Sequence, residues 1–118
     1  MKPVMYNQMV VQELSDAEID RIFHALADST RRDIVTRAIK REQSVTALAQ
    51  AYAMSFAAVQ KHVAVLQRAA LVTKERRGRQ QIVRGNLDTI RRAGELLDQY
   101  ERLWRDRVGR IADILSEG

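Results

Sequence analysis

The sequence predicts a mainly α-helical single domain with one small β-hairpin, built around a helix-turn-helix at residues 44–70. Three observations predict it. Residues 44–70 read as two helices separated by a short break at Met54-Ser55, and residues 71–85 change to a period of two around Arg77-Gly78-Arg79. The excess positive charge falls on these same segments: residues 59–86 carry Lys61, Arg68, Lys74, Arg76, Arg77, Arg79 and Arg84 against Glu75 alone. The stretch before is balanced and the stretch after is slightly acidic. A basic patch so confined is the electrostatic footprint of a polyanion-binding surface, whereas a merely solvated face interleaves its signs.

Composition sets the bounds. A chain of 118 residues, 46% hydrophobic and 30% charged, is one domain (1–118) with a core of its own and is not a disordered polymer. One Pro and five Gly leave helices uninterrupted. There is no cysteine, which excludes disulfides and thiolate metal sites and fits a cytoplasmic protein. Asn7 and Gln8 interrupt the first apolar stretch before it reaches the length of a secretory leader. No run approaches the roughly eighteen apolar residues of a membrane span, so no membrane partner is expected.

Residues 1–13, with Met1, Met5, Met9 and three valines, read either as an amphipathic arm or as an unordered lead. Ser15-Asp16-Ala17-Glu18 is a capping-box pattern that opens a helix over 14–27, with Ile19, Ile22, Phe23 and Leu26 on one face. His24 stands beside that stripe with no second ligand at metal spacing, and reads as a packed or surface residue rather than a ligand. Asp28-Ser29-Thr30 starts a second helix whose buried face is Ile34, Val35, Ala38 and Ile39. Arg31, Arg32 and Arg37 are expected to be exposed or paired with Asp28 and Asp33, with phosphate contact from Arg31 or Arg32 the lesser alternative, and Lys40 to Gln43 form a polar connection.

In the central pair, Ser44 caps a helix with Val45, Leu48, Ala49 and Tyr52 on one side. Ser55 caps the next, where Val59, Val63, Leu66 and Ala70 share a face. Ala57, Gln60, Lys61, Ala64 and Arg68 then point away from that stripe. Such a face suits a helix that reads DNA: small residues allow close approach, Gln matches an adenine edge, and Lys or Arg reaches guanine or phosphate. It equally describes the wet side of an ordinary core helix. The hairpin at 71–85 is then expected to act as a wing whose basic tip would lie against phosphates or the minor groove, with a plain solvated hairpin the alternative. From Leu87 to Leu115 the pattern is one long helix or two with a break, and Gly94 and Gly109 weaken it slightly. Ile90, Leu97, Trp104 and Ile111 recur every seven residues, and Tyr100 and Val108 widen the seam. Pairing with a second copy buries that seam, and folding back over its own domain is the alternative.

These features together resemble the ArsR-type winged-helix repressors. Leu26-Ala27-Asp28-Ser29-Thr30-Arg31-Arg32-Asp33-Ile34 resembles that family's Leu-Ala-Asp-Pro-Thr-Arg-Arg segment. Leu48-Ala49, Met54-Ser55, Ala58-Val59 and Lys61-His62 match its helix-turn-helix, and Leu66 with Leu71-Val72 matches the exit into the wing. The resemblance implies a homodimer that joins through its first and last helices, represses from inverted repeats, and releases DNA when a small-molecule effector binds. It makes Ser55, Phe56, Ala57, Gln60, Lys61 and His62 the groove and backbone contacts, with Arg68 farther along the helix and Lys74, Arg76, Arg77 and Arg79 on the wing. It makes Ile22, Phe23, Ile90, Leu97, Tyr100, Trp104, Val108 and Ile111 the dimer interface.

Three departures from the family pattern matter. Ser29 and Ala57 stand where many relatives have Pro. Ala70 stands where Gly usually precedes the wing, at a cost of about 1 kcal/mol if φ there is positive. The chain also lacks the cysteines, and the terminal helix lacks the histidines, that metal-sensing relatives use, so no metal or cofactor is expected and the non-metal branch fits better.

The expected partners are therefore double-stranded DNA, a second copy of the chain and a possible unidentified effector, whose pocket would lie between the terminal helices near Tyr100 and Trp104, with plain core the alternative for those two residues. A winged-helix interaction module without specific DNA binding is the second reading, and the concentrated charge argues against it. Catalysis is the weakest: there are two His, no Cys nucleophile, no phosphate-cradling Gly motif, and no acid or nucleophile placed beside His62.

Overall fold

The computed structural model describes residues 13–117. The arm read over the first residues lies outside the described residues, apart from Glu13. The elements run α1 (Asp16–Leu26), α2 (Ser29–Lys40), β1 (Gln43–Ser44), α3 (Val45–Tyr52), α4 (Phe56–Arg68), β2 (Val72–Arg77), β3 (Gln80–Gly85) and α5 (Leu87–Glu117).

Each of the first four helices starts where a short polar side chain can replace a missing intrahelical acceptor. Ser15 Oγ accepts the Glu18 N–H while Glu18 Oε1 accepts the Ser15 N–H, which is the full capping box. Asp28, Ser44 and Ser55 accept from Arg31, Ala47 and Ala58 in the same way. Each such cap contributes about 1 kcal/mol.

The core gathers Ile22 and Ala25 of α1, Ile34, Val35 and Ala38 of α2, Val45 and Leu48 of α3, and Val59, Val63 and Leu66 of α4. Leu71, Val72 and Val83 of the wing base close it. Two expectations fail here. Ile22, expected at a subunit interface, is 1% exposed inside its own domain. Ile39, expected in the core, is 54% exposed because it lines an open cleft with Glu42, Arg84 and Leu87 beside the end of β3. A Cβ at Gly85 would lie 2.8 Å from Ile39 Cγ1, so only glycine permits that approach.

Helices α3 and α4 end alike. The Met54 N–H bonds to the Ala49 carbonyl and the Ala53 N–H to that of Gln50; the Leu71 N–H bonds to Leu66 and the Ala70 N–H to Gln67. Both are Schellman closures, with a left-handed residue between helix and exit. Alanine fills both positions, at φ 53° for Ala53 and 59° for Ala70. Ala70 therefore leaves the buried stripe that the helical period assigned to it, and it is exposed. The positive φ anticipated there is real.

The sheet has the order β1-β3-β2, all antiparallel, with Gln43 opposite Val83, Ser44 opposite Ile82, and Arg77 opposite Gln80 at the hairpin end. Residues 40–43 are thus more than a polar connection, since Gln43 and Ser44 form a third strand. The two-residue loop places Gly78 at φ 64° in its first position, as a type II′ hairpin turn requires. The terminal helix is continuous through Gly94 and Gly109. It runs 31 residues, about 46 Å at the helical rise. From Leu97 to Ser116 every residue is exposed, so this half projects beyond the domain. Among the described residues no helix is long and apolar enough to cross a membrane.

Tyr52 fastens α3 to α2: its hydroxyl donates to Asp33 Oδ2, and Arg37 lies 5.2 Å over its ring while pairing with the same carboxylate at 2.9 Å. The Tyr52 hydrogen bond, then that of Arg37, holds the Asp33 carboxyl below its ordinary range. Burial, then the Asp33 contact, pushes the Tyr52 phenol up to about 12.

Two predictions follow from these geometries. Ala53→Gly and Ala70→Gly should each stabilise the domain by about 0.5–1 kcal/mol in urea melts, since relief of left-handed strain exceeds the added freedom of the unfolded glycine. Tyr52→Phe should lower stability most at neutral pH. The lost contribution exists above the unfolded Asp value of about 3.9 and below the unfolded Tyr value of about 10. The difference from wild type should therefore close as pH falls through the depressed Asp33 value, and again as pH rises through about 12. Thermal melts across pH check this.

Candidate nucleic-acid interface

Helix α4 is fixed in rotation by Val59, Val63 and Leu66, each 0% exposed. That places Ser55, Phe56, Ala57 and Lys61 on the solvent side of its first half. Ser55 uses its Oγ on the Ala58 N–H. Phe56 is 48% exposed, an apolar ring in water at the helix start.

Gln60 is half-buried. Its Nε2 donates to Gln81 Oε1 at 2.8 Å, and its Oε1 accepts from Lys74 Nζ at 3.4 Å. The side chain expected to read a base is therefore tied to the wing. His62 is also half-buried, with Nδ1 3.5 Å from Arg31 Nη1. Arg31 closes the corner between α1 and α2, donating from Nε to the Ala25 carbonyl at 2.8 Å and from Nη2 to His24 at 3.2 Å. Arg32 caps Leu26 similarly, so the two arginines satisfy the last carbonyls of α1 rather than pairing mainly with Asp28. His62 thus belongs to a supporting corner. Arg68 lies at the far end of α4, where it lines a cleft with α1 and α5.

The two faces of the hairpin differ. Strand alternation places Val72, Lys74 and Arg76 on the face toward α4, with Val83 and Gln81 opposite them. Thr73, Glu75 and Arg77 are on the reverse face. There Arg77 pairs with Glu42 and with Glu75, the latter at 2.8 Å. Arg84 pairs with the same two carboxylates at 3.1 and 2.6 Å. The Arg77 hydrogen bond, followed by the charges of Arg77 and Arg84, holds the Glu42 carboxyl below its ordinary range. Of seven basic residues in 59–86, two are thus neutralised on the side away from α4. Arg76 and Arg79 are exposed at the tip, where Arg76 Nε reaches the Gly78 carbonyl at 3.3 Å.

Sequence reasoning passed over Glu42 and Gln81. Glu42 lies 35 residues from Arg77, too far for any local pattern. Gln81 could have been found, because period two places it on the face of Val83 and across from Arg76.

At the seam, Ile90 packs against the core, and Leu97, Tyr100, Trp104, Val108 and Ile111 are 45–62% exposed. Phe23 is 38% exposed on α1. Tyr100 and Trp104 stand free in a single copy and enclose no effector pocket by themselves. Among the described residues no group of three or more His, Cys, Asp or Glu is placed to hold a metal ion.

Comparison with known proteins places this geometry. A scan against protein-family models and a search of the curated proteins each find no match. Solved structures do match. An ArsR-like transcriptional regulator from Rhodococcus sp. RHA1 is 29% identical over 86% of this chain and 94% of its own, with a TM-score of 0.76. A possible transcriptional regulator for arsenical resistance is 31% identical over 70% of this chain and 92% of its own, with a TM-score of 0.60. A homodimeric winged helix-turn-helix DNA-binding domain from Mycobacterium bovis, 23% identical over 79% and 93%, shares the fold at a TM-score of 0.60. The chain belongs to the ArsR family of winged helix-turn-helix transcriptional regulators.

Proposed function

We propose that the protein is a homodimeric repressor that acts in the cytoplasm by binding an inverted-repeat operator in double-stranded DNA. The observation that carries this reading is the shared exposed face of α4 and the wing. Ser55, Phe56, Ala57 and Lys61 line the helix side, Lys74 and Arg76 flank it, and Arg79 stands at the tip. In this reading the first half of α4 enters the major groove, and Ala57 allows close approach. Lys61 reaches a base or phosphate, and Arg76 and Arg79 hold the neighbouring backbone. Gln60 takes part through its bond to Gln81, which fixes wing against helix. Arg77, His62 and Arg68 support the interface from behind.

The free half of α5 supports the dimer. Twenty successive exposed residues of helix are marginal in water on their own. Leu97, Tyr100, Trp104, Val108 and Ile111 offer an apolar seam that the same helix of a second copy can cover. Two-fold pairing then sets two copies of α4 about 34 Å apart, one turn of DNA. With no cysteine in the chain, thiolate sensing is not part of the reading.

Fluorescence anisotropy with DNA from the protein's own promoter, against scrambled DNA of equal length, tests the function. Promoter preference with affinity falling steeply in salt is expected. Absence of binding at low salt overturns the reading in favour of an interaction module. Lys61→Ala and Arg76→Ala should each reduce the salt slope by about one. Arg77→Ala should change it far less, since its charge is already matched by Glu42 and Glu75. Trp104→Glu, at a side chain 62% exposed in one copy, should leave the domain folded, yield monomers in sedimentation, and weaken operator binding more than tenfold.

A further inference from the structure

Two buried side-chain polar atoms among the described residues have no hydrogen-bond partner: the Thr89 hydroxyl and Arg92 Nε. Both residues line the same small cleft. Thr89 is 2% exposed, so its hydroxyl has no bulk water to turn to. Leaving such groups unsatisfied is costly, and two of them on residues that line one cleft mark a place where something polar belongs.

The walls of the cleft indicate the sign of that occupant. Arg21 comes from α1, Arg68 from the end of α4, and Arg92 from α5, while Glu18 is the single acid among the lining residues. Glu18 is already engaged, accepting the Ser15 N–H at 2.8 Å. Arg92 Nη2 pairs with Asp88 at 3.1 Å, which leaves its Nε unused. Thr89 lies in the first turn of α5, where leading N–H groups lack intrahelical acceptors and the helix dipole favours negative charge. The cleft measures about 50 Å³. One water needs about 10–15 Å³ and a drug-sized ligand about 300 Å³ or more, so the space suits an ion of a few heavy atoms.

We propose that this cleft, where α1, the end of α4 and the first turn of α5 meet, binds a small inorganic oxyanion of the phosphate or sulfate type. The anion accepts from Thr89 Oγ1 and Arg92 Nε and bridges their helix to the Arg68 guanidinium. Guanidinium and hydroxyl donors together match the several acceptor oxygens of such an ion. Because Arg68 belongs to α4 and Arg92 to α5, an occupied cleft fastens the reading helix to the long helix. This regulatory consequence rests on the DNA-binding reading, but the binding itself does not.

The test therefore contains no DNA. Calorimetric titration and thermal melts of the full chain with inorganic phosphate, at ionic strength held constant with chloride, should show saturable binding and a rise in Tm. Arg68→Gln, at an exposed side chain, should weaken the phosphate affinity about tenfold, the loss of one charge-assisted contact. Thr89→Val should weaken it similarly while raising the Tm of the phosphate-free protein, because the orphaned hydroxyl is gone. Arg110→Gln, the same charge change at the far end of α5, should leave phosphate binding as it was. A Tm that phosphate leaves unchanged at this constant ionic strength overturns the proposal. So does equal phosphate affinity in Arg68→Gln and Arg110→Gln, which would leave the cleft to water.

Discussion

The burial of Val59, Val63 and Leu66 governs the rest of the molecule. Three fully buried aliphatic side chains contribute about 1.5–3 kcal/mol each. Turning α4 by a single residue, about 100°, would withdraw that stripe and drive Gln60 and Ala64 inward. The rotation of the helix is therefore fixed by hydrophobic packing alone, before any ligand is considered. Its outward residues, Ala57 and Lys61, follow from that packing as a remainder. Gln60 falls on the boundary between the two faces, where it meets Gln81 and Lys74. Helix and wing are thereby joined by polar contacts between elements that the same apolar stripe brings together.

Charge in this chain is distributed by the sheet as much as by the sequence. The run from Lys74 to Arg84 looks uniformly basic when read in order, yet strand alternation divides it between two faces. One face keeps Lys74 and Arg76 beside α4. The other sends Arg77 and Arg84 to Glu42 and Glu75, two cations against two anions. Exposed ion pairs add little stability singly. Their effect here is on the charge left over: Arg77 and Arg84 are matched on the reverse face, while Lys74 and Arg76 beside α4 meet no carboxylate among the described residues. Glu42 can do this because it immediately precedes β1, the short strand that pairs with β3.

Local signals were legible because they depend on neighbours along the chain. The capping box at Ser15, the caps at Asp28, Ser44 and Ser55, the buried stripe of α4 and the hairpin around Gly78 all arise within a few residues. The failures share a different cause. Ile39 has the right period for the core but lies beside Gly85, a contact set by the path of β3. The resemblance assigns Ile22 to an interface with the rest of the first helix, but its place on the apolar stripe turns it into its own core. Two residues of β1 hold no period to detect. Arg77 was read as a free cation because its counter-charge lies 35 residues away. Ala53 shows a subtler limit: alanine is the best helix former, and nothing in its identity announces a left-handed position.

The long helix raises the question of what keeps its outer half helical. Propensity favours it, and pairs such as Glu101 with Arg105 at 2.8 Å add a few tenths of a kcal/mol each. Gly109 removes about as much as two or three such pairs supply. What remains is the seam of Leu97, Tyr100, Trp104, Val108 and Ile111, where burying even part of each side chain exceeds all the local terms together. If a second copy provides that cover, helix formation beyond Leu97 and association are one process. The spacing of two reading helices then inherits its stiffness from the seam. The start of this same helix places Thr89 and Arg92 in one cleft with the end of α4, so the seam and α4 are linked through the short stretch of helix between Leu87 and Arg92.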